Sequence, residues 1–456
     1  MFRRLFPLSI MFLTACMPSG SMEYTSRASA LPDSLPPMKT FASAPVTAPQ
    51  RSNQDIGRDF LDLTFRMESG RLLPYMTRFE GPITVRVAGE APSSLQHDLT
   101  KLLARLRNEA QIDIRQTTRA DANITVNVIT RKTLQGSVPA AACFVVPHVQ
   151  SWTEFRKLRR TASVDWARLK KRDKVGIFMP GDVSPQEIRD CLHEELAQAL
   201  GPLNDLYRLP DSIFNDDNIH TVLTGFDMMI LRAYYAPELR NGMTREGVAR
   251  VLPQVLARIN PGGVGRASDP RPITARSWIE AIEGALGPRA SMGQRRAHAS
   301  KALAIAQNSG WTGPRRGYSH FLVARLATAA DSDYALSNYL AADSYYRADP
   351  KTRLHAAHVA VNLIAYKISA GEGLEAITMI NSHLPVVRRS ENANLLATLL
   401  MLKAEALEIE GRRAEAQAVR LDSLGWARYG FGSERDVRTR LSEITALTPM
   451  LGHSGG

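Results

Sequence analysis

A chain of 456 residues is long enough for two or three domains with sizeable cores. Its contents of 44% hydrophobic and 22% charged residues are ordinary for a globular protein, so the composition excludes a largely disordered or fibrous chain. The 57 Lys and Arg residues exceed the 45 Asp and Glu residues by 12, and this net positive charge favours anionic partners such as nucleic acid, acidic lipid or cell-wall polymers.

The first 15 residues have the features of an export signal. Two arginines precede an apolar run over residues 5–15, which is too short to span a bilayer as a stable helix. The run ends in Leu13-Thr14-Ala15-Cys16, which closely resembles the bacterial lipobox. That resemblance implies lipidation of Cys16, cleavage before it and acylation of the new N-terminus, and several acyl chains anchor a protein stably. Met17 in place of Asp implies the outer membrane, on its periplasmic side. The alternative interpretation of the apolar run over residues 5–15 is a plain buried helix.

Composition predicts the domain boundaries. Residues 16–55 are rich in Pro, Ser and Ala without a hydrophobic period, which predicts an extended, disordered tether. Residues 56–260 have the pattern of an α+β domain, residues 261–272 form a Pro- and Gly-rich linker, residues 273–447 are helical, and 448–456 form a tail.

Short strands and amphipathic helices alternate in the predicted α+β domain. Strands are predicted at 83–87, 112–114, 124–128, 142–146 and 175–178, and helices at 95–106, 225–240 and 243–259. A central helix is predicted between Ser184-Pro185, a good N-cap and first-turn pair, and Gly201-Pro202, which stop it. Its apolar face consists of residues at helical spacing, namely Ile188, Leu192, Leu196, Ala199 and Leu203.

A second face of the central helix carries a polar motif. In the register of the zinc motif H-E-x-x-H-x-x-G-x-x-H, followed by a Met-turn that often reads Ser-Ile-Met, the chain has Glu194, Glu195, Gln198, Gly201 and Asn204, then Ser212, Ile213 and Phe214. The stretch therefore resembles a metzincin site in which the three zinc histidines and the Met are replaced. It is also similar to an uncharacterised domain family of proteobacterial lipoproteins with the same Glu-Glu-x-x-Gln, Asn-Asp and Ser-Ile-Phe-Asn elements. The resemblance implies a zincin-like fold, in which one helix lies on a mixed sheet and the motif helix crosses behind it.

The motif residues suit zinc poorly. A catalytic zinc takes about three ligands from His, Asp, Glu or Cys, whereas Gln198 and Asn204 offer neutral amides. We therefore predict no metal and no cofactor, and a hydrogen-bonded network of Glu194, Gln198 and Asn204 that ties the turn at Ser212 to the helix. The alternative is a peptidase-like hydrolase in which Glu195 is a general base, with an oxygen-ligated cation or without a metal.

Two cysteines remain after Cys16. Cys143 lies in an apolar run that reads as a strand, and Cys191 lies one turn before Glu194. An even pair in an exported chain predicts a disulfide that joins the strand to the central helix. The alternatives are two buried free thiols, or a catalytic Cys191, for which no basic partner is well placed.

Residues 156–174 include nine basic side chains, with Trp152 and Trp166 nearby. Such a pattern suits nucleic acid, but the periplasmic address excludes that partner. Two interpretations remain, a solvated and partly mobile loop or a contact with anionic lipid heads or cell-wall polymer.

The region beyond the linker is predicted to be all helical. Amphipathic helices are predicted at 318–330, 334–347, 354–370, 374–383, 393–410 and 413–427. A short repeat begins at Gly371 and again at Gly411, each followed by Glu-Ala at the same offset, and it resembles tetratricopeptide turns although the 40-residue spacing is longer. Stacked repeats offer a concave face to a protein partner, and an ordinary helical bundle is the alternative.

The sequence thus leaves three functional interpretations. The first is a membrane-tethered, non-catalytic scaffold of the cell envelope, and the second is the hydrolase. The third is an accessory lipoprotein of an envelope assembly whose α+β domain is only structural.

Overall fold

The computed structural model of the chain describes residues 34–42, 47–139, 141–287, 290–327 and 331–448. Its contacts divide these residues into two units, one with residues 47–273 and one with residues 34–42 and 274–448. The predicted signal peptide, Cys16 and almost all of the predicted tail lie outside the described residues. Within the described residues, no helix is both long and apolar enough to cross a membrane.

The first unit is an α+β domain, as predicted. Its elements in chain order are α1 (Asn53–Thr64), β1 (Ile83–Ala88), α2 (Ser93–Glu109), β2 (Ile114–Gln116), β3 (Ile124–Ile129), α3 (Arg131–Ser137), β4 (Phe144–Pro147), α4 (Trp152–Leu158), β5 (Val175–Pro180), α5 (Pro185–Leu200), α6 (Gly225–Tyr234) and α7 (Arg245–Ile259). All five predicted strands form, and their bounds differ from the prediction by up to two residues.

The five strands form one mixed sheet in the order β2-β1-β3-β5-β4. The first four are parallel, and β4 pairs with β5 in the antiparallel sense at the edge. Successive side chains of a strand point to opposite faces, so the sheet has two apolar sides. In β5, Val175 and Ile177 enter the main core, which includes the apolar face of α5, while Phe178 enters a smaller cluster with Phe144 and Phe155. Both faces of the sheet are therefore covered near β5.

Part of the predicted linker is fixed to this unit. The hydroxyl of Ser268 and the main-chain N–H of Asp269 donate to the carboxylate of Asp55 at 2.7 and 2.9 Å. Asp55 also lies in the first turn of α1, where Ser52 caps the helix. The segment is thus restrained by hydrogen bonds to α1 as well as by the stiffness of its prolines.

The second unit is all helical in its described part. Its helices are α8 (Arg276–Leu286), α9 (Met292–Asn308), α10 (Pro314–Ala327), α11 (Ser332–Arg347), α12 (Arg353–Ser369), α13 (Gly373–Arg389), α14 (Ala393–Ile409), α15 (Arg413–Gly430) and α16 (Glu434–Thr445). Each helix packs against the next. The two predicted turn glycines, Gly371 and Gly411, have φ of 79° and 72°, a conformation that favours glycine.

Three helices of the second unit, α8, α9 and α16, were not predicted, and two, α13 and α15, extend past their predicted ends. The buried face of α9 consists mainly of alanines, so this helix shows little contrast between an apolar and a polar face. Helix α13 continues past the predicted end at 383 to Arg389, with Pro385 inside it. The helical fold class is confirmed, although the sequence identified too few helices.

Residues 34–42 belong to the predicted tether, yet they lie against α15. The main-chain N–H of Lys39 donates to the carbonyl of Gly425 at 3.0 Å, and the Phe41 ring packs on Trp426 at 4.5 Å between centroids. This part of the segment is therefore not free and disordered. Its backbone and its aromatic side chain both find partners, which a composition rich in Pro and Ser does not reveal.

Candidate functional site

Helix α5 begins and ends where the sequence predicts. The Ser184 side chain accepts the main-chain N–H of Glu187 at 3.2 Å, and Gly201 follows the last helical residue. The predicted apolar residues of its inner face all lie in the main core. Because the helix is capped at its start and packed along its length, the polar motif residues have fixed positions.

The polar motif residues are buried together with the apolar ones. The exposed fractions of Glu194, Glu195 and Gln198 are 3%, 0% and 2%. Phe214, at the place of the Met-turn methionine, is 0% exposed. A general base must lie within hydrogen-bond reach of the attacking water, and in this conformation Glu195 has no surface accessible to solvent.

Asn204 contacts α1. Its Nδ2 donates to the main-chain carbonyl of Asp62 at 2.9 Å. Four residues further on, Arg208 binds the carboxylates of Asp59 and Asp62, each at 2.8 Å. Arg51 binds the other oxygen of Asp59 at 3.0 Å. The segment after α5 is thus held to α1 by a buried network of ion pairs.

The network that we predicted is not the one that forms. Asn204 uses its amide for α1, and among the described residues the buried Nε2 of Gln198 has no hydrogen-bond partner. A buried donor without a partner costs about 1–3 kcal/mol. The predicted hydrogen bonds among Glu194, Gln198 and Asn204 therefore do not account for the stability of this region.

The turn at Ser212 is organised by Asp227, at the start of α6. The Ser212 hydroxyl donates to Asp227 Oδ1 at 2.5 Å, and the main-chain N–H groups of Ile213 and Thr224 donate to Oδ2 at 3.1 and 2.7 Å. Phe214 closes the turn through its N–H, which donates to the Ser212 hydroxyl at 3.0 Å. Burial raises the pKa of Asp227 to about 6, although these hydrogen bonds lower it.

Sequence reasoning missed Asp227, but a signal for it exists. Thr224 and Asp227 have the spacing of a capping box, and both of its reciprocal hydrogen bonds are present. The box agrees with the start of α6 that the sequence predicts at residue 225. It would not have predicted that the same carboxylate also holds Ser212.

Arg172 caps the other end of α5. Its guanidinium donates to the carbonyls of Gln198 and Ala199 at 2.6 and 2.7 Å and to that of Gly201. The last carbonyls of a helix lack partners within the helix, and a cation there also suits the helix dipole. The side chain lies over the Trp166 ring, and burial lowers its pKa. Arg172 is thus a structural residue of the motif helix.

This finding changes the interpretation of residues 156–174. Arg172 is 3% exposed and Trp166 is also 3% exposed, so the segment is not simply a solvated loop. Arg159 is half-buried and donates to the carbonyl of Ser137 at 3.0 Å. The basic residues that remain exposed are Arg156, Lys157, Arg160, Arg168, Lys170, Lys171 and Lys174.

Gly201 lies against an aromatic ring. A Cβ atom at this position would lie 3.0–3.1 Å from three ring atoms of Tyr234. The ring is fixed because the Tyr234 hydroxyl donates to the carbonyl of Thr77 at 3.1 Å. Next to it, the Tyr235 hydroxyl donates to the carbonyl of Leu200 at 2.9 Å. The first turn after α5 thus packs closely on the end of α6.

The other titratable residues of α5 are explained by burial. Burial lowers the pKa of His193 well below its usual range, with Arg105 and Arg189 adding to the effect, and its Nδ1 accepts the N–H of Leu223 at 3.2 Å. Burial also raises the pKa of Asp190 well above its usual range. His193 is therefore a neutral, hydrogen-bonded core residue.

Cys143 and Cys191 form the predicted disulfide, with 5.9 Å between their Cα atoms. Cys143 directly precedes β4, and Cys191 lies in the middle of α5. Both side chains are buried in the main core. The bond therefore joins the antiparallel edge of the sheet to the motif helix.

The residues at the metzincin positions do not fit zinc. Within the part of the chain that the structure describes, no three His, Cys, Asp or Glu side chains are grouped so that they could hold a metal ion. Glu194 is the one acidic residue at the three ligand positions, and Asn204 directs its amide nitrogen, a donor, to Asp62. No step of a reaction is therefore assigned to a metal here.

Residues 53–254 match a family described as "Protein of unknown function (DUF2927)". The matched segment coincides closely with the first unit, from the start of α1 into α7. No curated protein and no solved structure is significantly similar to the chain.

Proposed function

We propose that the chain is a lipid-anchored periplasmic protein of the bacterial envelope whose zincin-like domain is non-catalytic and whose helical unit binds a protein partner. The main support for the proposal is the burial and the contacts of the motif residues. Its two glutamates have 3% and 0% of their surface exposed, and its Asn204 is engaged with α1. The motif residues thus serve the packing of the domain.

The zincin-like part of the proposal is supported by the position of the motif. Helix α5 lies against a mixed sheet that also carries α2, and it contacts β5 and the antiparallel β4. A helix packed on a mixed sheet with an antiparallel edge strand is what the resemblance to metzincins leads us to expect, and it supports this part of the proposal. The glycine, the polar residues and the turn of the motif all occur on or directly after that helix.

Burial distinguishes a structural motif from an active site. An active hydrolase keeps its base and its electrophile accessible in a cleft, and a catalytic metal keeps one coordination position open. Here Glu195 and Phe214 are both 0% exposed. This burial is what we expect of a former active site whose residues now only pack the domain.

The location and partners follow from features outside the motif. The lipobox-like sequence at Cys16 favours a lipid anchor, and Met17 favours the outer membrane. The turns at Gly371 and Gly411 resemble those of tetratricopeptide repeats, and stacked helices of that kind suit a protein partner. The exposed basic residues of the segment 156–174 suit anionic lipid heads or cell-wall polymer. A periplasmic address excludes nucleic acid as a partner.

Metal analysis and a hydrolysis assay on one preparation test the loss of catalysis. The full chain is purified in detergent, its zinc, calcium and manganese contents are measured, and a mixture of unstructured peptides is offered as substrate. We expect no stoichiometric metal and no cleavage. Glu195→Gln is the matched variant, because it keeps the size of the side chain and removes its charge.

The result that overturns the proposal is specific. It is a tightly bound metal together with peptide cleavage that Glu195→Gln abolishes at an unchanged melting temperature. The hydrolase interpretation is then correct. The anchor is tested separately, since Cys16→Ser is expected to abolish acyl labelling and membrane association, and retention of both contradicts it.

A further inference from the structure

Helix α15 carries a feature that its place in a helical stack does not require. Gly425 lies inside this helix, where glycine is about 1 kcal/mol less favourable than alanine. A Cβ atom at Gly425 would lie 3.0 Å from Cγ of Lys39 and 3.2 Å from the carbonyl oxygen of Pro37. The glycine therefore permits the backbone of residues 34–42 to approach the helix closely.

The approach is used for a main-chain contact. The N–H of Lys39 donates to the carbonyl of Gly425 at 3.0 Å. One helical turn away from the glycine, Nη1 of Arg428 donates to the carbonyl of Pro36 at 3.0 Å. Both contacts are to main-chain atoms of the segment, and such contacts bind an extended peptide whatever its sequence.

Two side chains of the segment add specificity. The Lys39 ammonium pairs with Asp422 and lies 5.9 Å from the centroid of the Trp426 ring, which places it in the range of a cation–π interaction. The Phe41 ring packs on the same Trp426 at 4.5 Å, and only 9% of its surface is exposed. Helix α15 thus presents an acidic group and an aromatic ring. Together they contact a cationic residue and an aromatic residue that stand two positions apart in the extended segment.

We infer that the surface around Gly425 and Trp426 is a peptide-binding site that residues 34–42 occupy in cis. Its ligands are extended peptides with proline, then a Lys or Arg, then an aromatic residue two positions later. The prolines of the segment suit this mode, because they hold a peptide extended before it binds. Pro36 and Pro37 stand directly before the contacts to Lys39.

Occupation in cis has a consequence for binding in trans. Because the segment and the site belong to the same chain, their contact is intramolecular, and a free peptide of equal affinity competes poorly with it. A partner gains access only when the segment is weakened or removed. The site is thus closed by the protein's own chain and open to a partner that displaces it.

The inference extends the proposed scaffold function by naming a ligand chemistry for the helical unit. It depends on neither the motif helix nor the lipid anchor. A failure of the metal and hydrolysis experiment leaves it unaffected, and its own failure leaves the proposed loss of catalysis unaffected.

The test is a binding experiment with a fluorescent synthetic peptide that has the sequence of residues 33–43. The full chain is purified in detergent, and binding is followed by anisotropy. In the Lys39→Ala/Phe41→Ala variant the cis segment is weakened and the helix surface is intact. We expect this variant to bind the peptide at least tenfold more tightly than the unmodified chain.

Blocking the helix surface provides the second arm. Adding Gly425→Leu to the double variant is expected to reduce its affinity for the peptide at least tenfold. Adding Gly293→Leu instead is the matched control, because a Cβ at Gly293 in α9 meets no atom within 4 Å. Far-UV circular dichroism verifies that all variants keep their helical content.

Three outcomes overturn the inference. The peptide does not bind the Lys39→Ala/Phe41→Ala variant at millimolar concentration, or Gly425→Leu leaves its affinity unchanged, or the unmodified chain binds as tightly as the double variant. In the first two cases the surface is not a peptide site, and in the third the segment does not occupy it in solution. A Phe41→Ala peptide that binds as well as the original contradicts the proposed ligand chemistry.

Discussion

Replacing Asp227 by Asn is expected to change the pH dependence of stability in a defined direction. The carboxyl group is fully buried and accepts hydrogen bonds from Ser212, Ile213 and Thr224. Its pKa is raised by burial from 3.8 to about 6. Asn has the same size and its carbonyl oxygen accepts the two main-chain N–H groups, but it does not titrate.

The direction of the change in stability with pH follows from the pKa of Asp227 in the folded and in the unfolded chain. Below about pH 3 the carboxyl group is protonated in the folded and the unfolded chain alike. As the pH rises, the unfolded chain releases its proton first, so between the two pKa values the folded chain binds more protons and the stability falls with pH. The decline ends once the pH has passed the folded pKa of about 6. A shift of about two pKa units corresponds to about 3 kcal/mol.

The assay is urea unfolding followed by circular dichroism at intervals from pH 2.5 to pH 7.5. We expect the stability of the unmodified chain, relative to Asp227→Asn, to decrease by about 3 kcal/mol over that range. Asp165→Asn is the control of opposite sign. Hydrogen bonds from Arg71 and from the N–H of Ala167 outweigh the burial of Asp165 and lower its pKa, so its contribution grows with pH. A stability difference for Asp227→Asn that stays constant from pH 2.5 to pH 7.5 refutes the reasoning.

Two further predictions concern the other supports of α5. Arg172→Ala leaves three carbonyls at the end of α5 without their donor and is expected to lower the free energy of unfolding, measured in urea, by at least about 3 kcal/mol. The substitution Lys171→Ala at its exposed neighbour is the control and should change this free energy by less than about 0.5 kcal/mol. Equal effects of the two substitutions contradict the capping role of Arg172. Cys143→Ala/Cys191→Ala should lower it by about 4 kcal/mol, because the bond closes a loop across a sequence separation of 48. Equal midpoints for the oxidised chain and this variant contradict the second prediction.

The sheet and the motif helix were predictable because each has a local signal. Alternation of apolar residues marks β1, and Ser184-Pro185 and Gly201 mark the ends of α5. Residues at helical spacing on α5 form the face that enters the core. In each case the residues that determine the element lie within the element or directly beside it.

The contacts that hold the site were not predictable in the same way. Arg172 lies in a basic run whose other members are mostly exposed, and nothing in that run distinguishes the one that reaches the end of α5. The partners of Asn204 and Arg208 are on α1, which precedes them by more than 140 residues. These contacts are set by the tertiary fold, whereas the predicted network paired Glu194 and Gln198 with Asn204, a residue close to them in sequence.

The helical unit shows the same limit. Helices with leucine-rich faces, such as α14, were predicted to within a residue or two, whereas the alanine-rich α9 was missed. Alanine supports a helix by propensity but gives little periodic contrast. The packed segment around Lys39 was missed for a related reason, since its contacts depend on a glycine in a distant helix.

Gly201 allows a last test of whether the motif is maintained by packing. Its place in the metzincin register has an explanation that involves no metal, because a Cβ there would lie 3.0–3.1 Å from the Tyr234 ring. Gly201→Ala is therefore expected to lower the free energy of unfolding by about 1–3 kcal/mol, the usual effect of overpacking a core. In a Tyr234→Leu background the ring is absent, and the same substitution should have a clearly smaller effect. The two effects together give a coupling energy, which is expected to be at least about 1 kcal/mol for residues in contact. Gly136→Ala is the control, since a Cβ at Gly136 meets no atom within 4 Å. If Gly201→Ala destabilises both backgrounds equally, the Tyr234 ring does not account for the glycine, and the packing explanation of the motif loses its clearest example.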